Sequence, residues 1–272
     1  MALWDKLTSR GNVQDRRDAG PGVIGGGLGI GGLVIYLLVS FLGGGDVNVG
    51  DVLTQLQNVQ LQPTQSYNAQ DFEGADSYEV FASKVLGSAN DMWSQVFAEV
   101  NVQYVEPTLV LFRGATESEC GGADARFGPH YCPLDETIYL DETFFDELTR
   151  RFGAKGGDVA QAYVIAHEVG HHVQNGLYGL SENTSAEESV RQELQADCFA
   201  GLWAYSIKDL GVFESGEIGE AIDAAAAVGD DRIQSTIAGR VDPESWTHGS
   251  SEQRVAAFNR GYESGLVSQC EF

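Results

Sequence analysis

Residues 163–175 read YVIAHEVGHHVQN. The apolar residues around His167-Glu168-Val169-Gly170-His171 predict one long helix, opened by Asp158 and running to about Asn175, with Gly176 placed to stop it. On a helix, positions i and i+4 lie about 40° apart, so the imidazoles of His167 and His171 leave one face. Two neutral imidazoles at that spacing can hold one Zn²⁺, with Glu168 beside them to take a proton from water. Inside so apolar a helix, two histidines and a glutamate would be costly without such a use. His172 points about 100° away from His171 and is expected behind the site or at the surface. His130 has no partner by spacing and is expected to be structural or exposed.

A catalytic zinc usually takes three protein ligands. The extended pattern H-E-x-x-H-x-x-G-x-x-H fails here, because Gln174 and Leu177 stand at the Gly and last His positions. The other solution is a carboxylate from the next helix, predicted over 185–210. Its stretch RQELQAD (191–197) places Glu193 and Asp197 on one face, within an apolar run that continues through Phe199 and Leu202. Glu193 is the candidate third ligand. Asp197 is placed to accept the free ring N–H of a ligand histidine and so set its tautomer. Glu187 and Glu188 are competing carboxylates, in a polar run that reads as loop. Further on, His248 opens the last predicted helix and is placed to donate a hydrogen bond to an oxyanion. Arg254, six residues later, is placed to hold a carboxylate of the site.

Around these motifs the chain reads as mostly α with a few strands. A helix is predicted over 76–104, with Phe81, Val85, Ala89, Trp93 and Phe97 as its core stripe. Strands are predicted at Thr108–Phe112 and Thr137–Asp141, separated by a polar loop over 116–133. Shorter helices follow at 143–152, 218–228 and 231–238, and a last one at 250–262.

Forty acidic against 16 basic residues give a net charge of −24, which repels nucleic acid phosphates and excludes nucleic acid as a partner. The 272 residues, 43% hydrophobic, are enough for a real core. Residues 23–42 (VIGGGLGIGGLVIYLLVSFL) carry no charge and are long enough as a helix to cross a bilayer. Lys6, Arg10, Arg16 and Arg17 precede that run, and the next basic residue is Lys84. The positive-inside rule then predicts a cytoplasmic N-terminus and a catalytic domain outside. A cleaved signal peptide is the alternative, but no A-x-A-like site follows the run. The expected division is a basic N-terminus at 1–22, a single-pass anchor at 23–43, a flexible tether at 44–75 and the catalytic domain at 76–272. Gly25/Gly29 and Gly27/Gly31 have the G-x-x-x-G spacing that allows helices to approach, hence homo-oligomers through the anchor.

HEVGHHVQN, SVRQELQADCFAGLWA, THGSSEQRVAAF and ECGGADARFGPHYCPLDETIYLD resemble the bacterial neutral zinc metallopeptidases, as does the N-terminal NVQDRR before a Gly-rich apolar segment. The pairing of H-E-x-x-H with E-x-x-x-D is similar to the gluzincins. The spacing of His248 and Arg254 is similar to the H-P-x-x-x-x-R stretch of CaaX-prenyl endopeptidases, with Gly249 in place of Pro. The resemblance implies an α+β, mostly α, zincin-like domain whose short antiparallel sheet is packed by the H-E-x-x-H helix, after one transmembrane helix. It implies a membrane-anchored peptidase of the cell envelope with one Zn²⁺ on His167, His171 and Glu193, and a peptide or protein substrate. Strand Thr137–Asp141 is the expected rail for that substrate by β-addition. A non-catalytic zinc protein of envelope assembly is the alternative, and the intact Glu168 speaks for catalysis. Four cysteines allow three pairings. With the domain expected in an oxidising compartment, Cys120–Cys132 and Cys198–Cys270 are predicted, the other pairings staying open.

Overall fold

The two apolar runs TLVLF and TIYLD become the central strands of the sheet. The computed structural model describes residues 2–17, 70–71, 77–124, 128–180 and 184–272. Strand β3 (Thr108–Phe112) pairs in parallel with β7 (Thr137–Asp141), from Thr108 opposite Thr137 to Phe112 opposite Asp141. All five β7 residues are buried, because elements cover both faces of the sheet. Leu109, Leu111, Ile138 and Leu140 face the main core, while Val110, Phe112 and Tyr139 form a smaller one on the other face. The smaller core also takes in Ala123 and Cys132.

The sheet is mixed rather than antiparallel. Its order is β2 (Gln70–Asp71), β1 (Asn12–Asp15), β3, β7, β6 (His130–Cys132), with β1 parallel to β3. Only β2 and β6, the edge strands, run antiparallel to their neighbours. The chain between β3 and β7 is long enough to return in parallel, and part of it forms the hairpin β4 (Ala115–Ser118) and β5 (Gly121–Asp124), read from sequence as loop. Strand β7 has β3 on one side and β6 on the other, so it cannot take a substrate strand as expected.

The expected N-terminal division is also corrected. Residues 2–17 of the predicted cytoplasmic segment are built into the domain: β1 lies inside the sheet, and Ala2, Leu7 and Val13 join the main core. Gln70 and Asp71, expected in the tether, form β2. The predicted anchor at 23–43 and the rest of the tether lie outside the described residues. Among the described residues no helix is long and apolar enough to cross a membrane.

Helix α1 (Ser77–Glu99) buries Val85, Ala89, Trp93 and Phe97 of the predicted stripe and Leu86 beside them, while Phe81 is partly buried. After α2 (Phe144–Phe152) comes α3 (Asp158–Tyr178), which carries H-E-x-x-H. It runs past Gly176 and ends at Gly179, whose φ of 70° suits a residue without Cβ. Ser185 caps α4 (Ala186–Ile207) by accepting the N–H of Glu188, so Glu187 and Glu188 sit in its first turn, not in a loop. Helices α5 (Ile218–Ala227), α6 (Asp230–Ala238) and α7 (Ser251–Ser264) complete the domain, α7 opening with a capping box of Ser250 and Gln253. Both predicted disulfides, Cys120–Cys132 and Cys198–Cys270, are present.

Helices α4 and α7 cross backbone to backbone through two glycines. A Cβ on Gly201 would stand 2.1 Å from the Phe258 carbonyl oxygen, and one on Gly261 2.0 Å from that of Cys198. This closeness brings the start of α7 over the acidic face of α4. Gly261→Val is expected to force the helices apart and cost about 3 kcal/mol or more, read by urea denaturation. A loss below about 0.5 kcal/mol would show that the crossing tolerates a side chain.

Candidate zinc site

The i, i+4 geometry of α3 sets His167 and His171 side by side, and α4 lies across them with Glu193. Glu193 Oε2 is 3.3 Å from His167 Nε2, and Oε1 is 3.4 Å from His171 Nε2. One ligand atom from each of the three residues lies within 4.8 Å of the others. Ligand atoms about 2.0–2.1 Å from a tetrahedral zinc are separated by an edge of about 3.3–3.4 Å. The donor set and the two measured gaps therefore fit one zinc ion.

Both Nε2 atoms are free to be ligands because the Nδ1 atoms are occupied. His167 Nδ1 lies 2.9 Å from Asp197 Oδ1. Asp197 is fully buried and also accepts from Tyr163 Oη at 2.5 Å and from Arg254 Nε and Nη2 at 2.8 and 3.0 Å. Arg254 Nη2 further stands 3.5 Å from Glu193 Oε2. Arg254 thus bonds the Asp197 carboxylate, and Asp197 engages the Nδ1 of His167, a candidate ligand, so the structure brings together the residues that the sequence singled out.

His171 has a different support. Its Nδ1 lies 2.9 Å from Gln174 Oε1. Gln174 is buried, and its Nε2 donates to the Gln192 carbonyl at 2.7 Å and to Gln195 Oε1 at 3.0 Å. Those bonds fix which end of the amide faces His171, and so put the ring proton on Nδ1. Gln195 Nε2 in turn donates to the Cys270 carbonyl, linking the ligand to the disulfide-pinned tail.

Glu168 is buried, 6% exposed, and its carboxylate makes no hydrogen bond or ion pair with the described residues. His172 is buried away from the ligands, with Nδ1 at 3.0 Å from Tyr131 Oη and Nε2 donating to the Val105 carbonyl at 2.6 Å. Burial pushes its pKa down. His130 stacks on Tyr139. His248 is half-exposed, with Nδ1 3.1 Å from Asp230 Oδ1. Asp230 Oδ2 accepts the backbone N–H groups of Thr247, His248 and Gly249, at 2.8, 2.6 and 3.1 Å. That turn packs on α4 beside Glu193: a Cβ on Gly249 would meet Val190 and Leu194 side chains at 3.3 and 3.5 Å.

Electrostatics tie these groups together. Burial alone would lower the His167 pKa, but the carboxylates of Asp197 and Glu193 outweigh it and raise it to about 10. Burial would likewise raise Glu193 and Asp197. The neighbouring histidines hold Glu193 well below its usual range, and Arg254 with His167 holds Asp197 below its own. The hydrogen bond to Asp230 raises His248.

Tyr163, Gln174 and Asp230 are the site residues that sequence reasoning missed. Tyr163 and Gln174 had a signal, being hydrogen-bonding side chains on the histidine-bearing helix, four before His167 and three after His171. Asp230 had none.

A helix carrying H-E-x-x-H, crossed by a second carrying E-x-x-x-D over a small mixed sheet in a mostly helical α+β domain, is consistent with a zincin-like metallopeptidase domain. The chain belongs to the family described as "Putative neutral zinc metallopeptidase", which it matches over residues 2–272. It is 42% identical to the uncharacterized protein YpfJ of Escherichia coli (strain K12), covering 98% of this chain and 97% of that one. It is 40% identical to the uncharacterized proteins Mb2605 of Mycobacterium bovis and Rv2575 of Mycobacterium tuberculosis, over 83% of this chain and 82% of each of those. No solved structure matches.

Two predictions follow from the histidine supports. With His167 protonated up to about pH 10 in the metal-free protein, zinc must displace a proton. Apparent affinity should therefore rise with pH, by about tenfold per unit between pH 6 and 9 if one proton leaves. Competition with a chromophoric chelator measures this, and a flat profile would contradict the assigned proton. Gln174→Leu should weaken zinc binding by about 10–100-fold in the same assay. Unchanged affinity would remove the amide from its role.

Proposed function

We propose that this chain is a zinc-dependent peptidase that hydrolyses peptide bonds with Glu168 as general base. The observation that carries the reading is the combination of a zinc-fitting trio with a buried carboxylate, Glu168, that none of the described residues engages. A purely structural zinc site has no use for such a group, which disfavours a non-catalytic binding role.

His167, His171 and Glu193 would hold the ion. When bound, zinc supplies a Lewis acid that polarises a scissile carbonyl and makes water nucleophilic near neutral pH. Glu168 takes the proton of the attacking water and delivers it to the leaving amine. Asp197, held by Arg254 and Tyr163, keeps His167 in the tautomer that presents Nε2. Asp230 engages His248 Nδ1 and favours the protonated imidazole, whose Nε2–H then donates to the oxyanion of the tetrahedral intermediate. The sheet edge closest to α3 along the chain order is β6, which touches α3 through Tyr131 and His172 and has no second neighbour among the described strands. An extended peptide or protein substrate would pair along that edge.

Glu168→Gln should bind zinc with unchanged stoichiometry and lose about 10²–10⁴-fold in peptide turnover. The check is metal analysis beside hydrolysis of a diverse peptide library by both forms. Equal turnover by the variant would refute the general-base assignment.

A further inference from the structure

The residues ahead of the uncharged run are not a separate tail. Strand β1 lies between β2 and β3, with Val13 fully buried. Trp4 stacks on Trp203 at 6.5 Å and meets Phe81 and Phe213 edge-on at 5.0 and 6.1 Å. Its Nε1 donates to Asp158 Oδ2 at 2.7 Å, and the Ala2 N–H donates to the same oxygen at 2.8 Å. Asp158 is the first residue of α3, so the N-terminal segment rests on the zinc-bearing helix itself.

Its approach to α1 is as close as backbones allow. A Cβ on Gly87 would stand 2.6 Å from the Arg10 backbone nitrogen, and one on Gly11 2.4 Å from the Leu86 side chain. Three of the four basic side chains that the positive-inside rule counts, Arg10, Arg16 and Arg17, bond to the domain. Arg17, 8% exposed, pairs with Asp15 at 2.6 Å and Glu142 at 2.8 Å. Arg16 donates to the Glu117 carbonyl at 3.3 Å, and Arg10 to that of Val80 at 3.3 Å. Asp15 is paired with Gln70 across β1 and β2, so the chain leaves the sheet and re-enters it at one place.

We infer that residues 2–17 and the zinc-site domain fold as one body and lie on the same side of any membrane the chain meets. Paired strands are about 4.8 Å apart and the hydrocarbon core is about 30 Å thick, so no ladder forms across it. Between positions 15 and 70 the chain must then cross a bilayer an even number of times. The run at 23–43, at about 1.5 Å per residue, is long enough for one crossing only. A cytoplasmic N-terminus with an external catalytic domain is incompatible with this sheet.

All four cysteines are in disulfides, so one introduced cysteine gives a single reactive thiol. Thr8→Cys and Glu252→Cys, both at exposed positions, are made separately in the full chain. Right-side-out and inside-out membrane vesicles, and the soluble fraction, are treated with a membrane-impermeant maleimide. Both thiols are expected to label in the same preparation and stay protected in the same preparation. Recovery of both labelled chains in the soluble fraction supports the inference equally. Labelling of the two thiols in opposite vesicle orientations overturns it. If Thr8→Cys does not fold, Leu3→Cys at the 46%-exposed Leu3 replaces it.

Discussion

A fully buried carboxylate, Asp197, holds three helices and the candidate ligand His167 in register. It accepts from Tyr163 and His167 on α3 and twice from Arg254 on α7. An isolated buried charge would be prohibitive, and it is viable here because a guanidinium matches it in a fork of two bonds. Removing one partner of such a pair generally costs about 3–5 kcal/mol. The same contacts put the His167 proton on Nδ1. What stabilises the crossing of α3, α4 and α7 is therefore also what leaves His167 Nε2 free to face Glu193 and His171.

The candidate trio was legible in the sequence because helical periodicity pairs its members, and the structure brings the same three side chains together. His167 and His171, then Glu193 and Asp197, are two i, i+4 pairs, and their apolar surroundings said that both faces are buried. The partners that fix the rings depend on how helices meet, which periodicity does not encode. Gln174 faces His171 only because α4 offers the Gln192 carbonyl and Gln195 to turn its amide. Asp230 supports His248 from 18 residues upstream in sequence, and as one acid among 40 acidic residues it carried no mark.

The sheet shows a different limit. Strands β3 and β7 were readable to the residue as continuous apolar runs, but alternation and apolarity say nothing of strand direction, so their parallel pairing was not. Strand β1, NVQD, has a single apolar side chain, and Val13 is the one that reaches the core. Its place depends on backbone hydrogen bonds to β3 and on the Gly11–Gly87 approach to α1. Those features have no hydropathy signature, so residues 1–22 read as a segment apart from the domain.

The position of β1 also bears on whether the N-terminal segment is removed. Cleavage after the apolar run, as for an exported protein's signal peptide, would take β1 away if the fragment departed. Strand β3 would then lose its neighbour on one side and become an open edge, with Leu109 and Leu111 beneath it no longer covered by Val13. Open edges of apolar strands pair with other chains. Loss of Ala2 and Trp4 would strip the ring packed against Trp203 and leave Asp158 without two of its donors at the start of the H-E-x-x-H helix. Segment 2–17 thus belongs to the scaffold that aims the ligands, and the folded domain requires that it stay attached or stay bound.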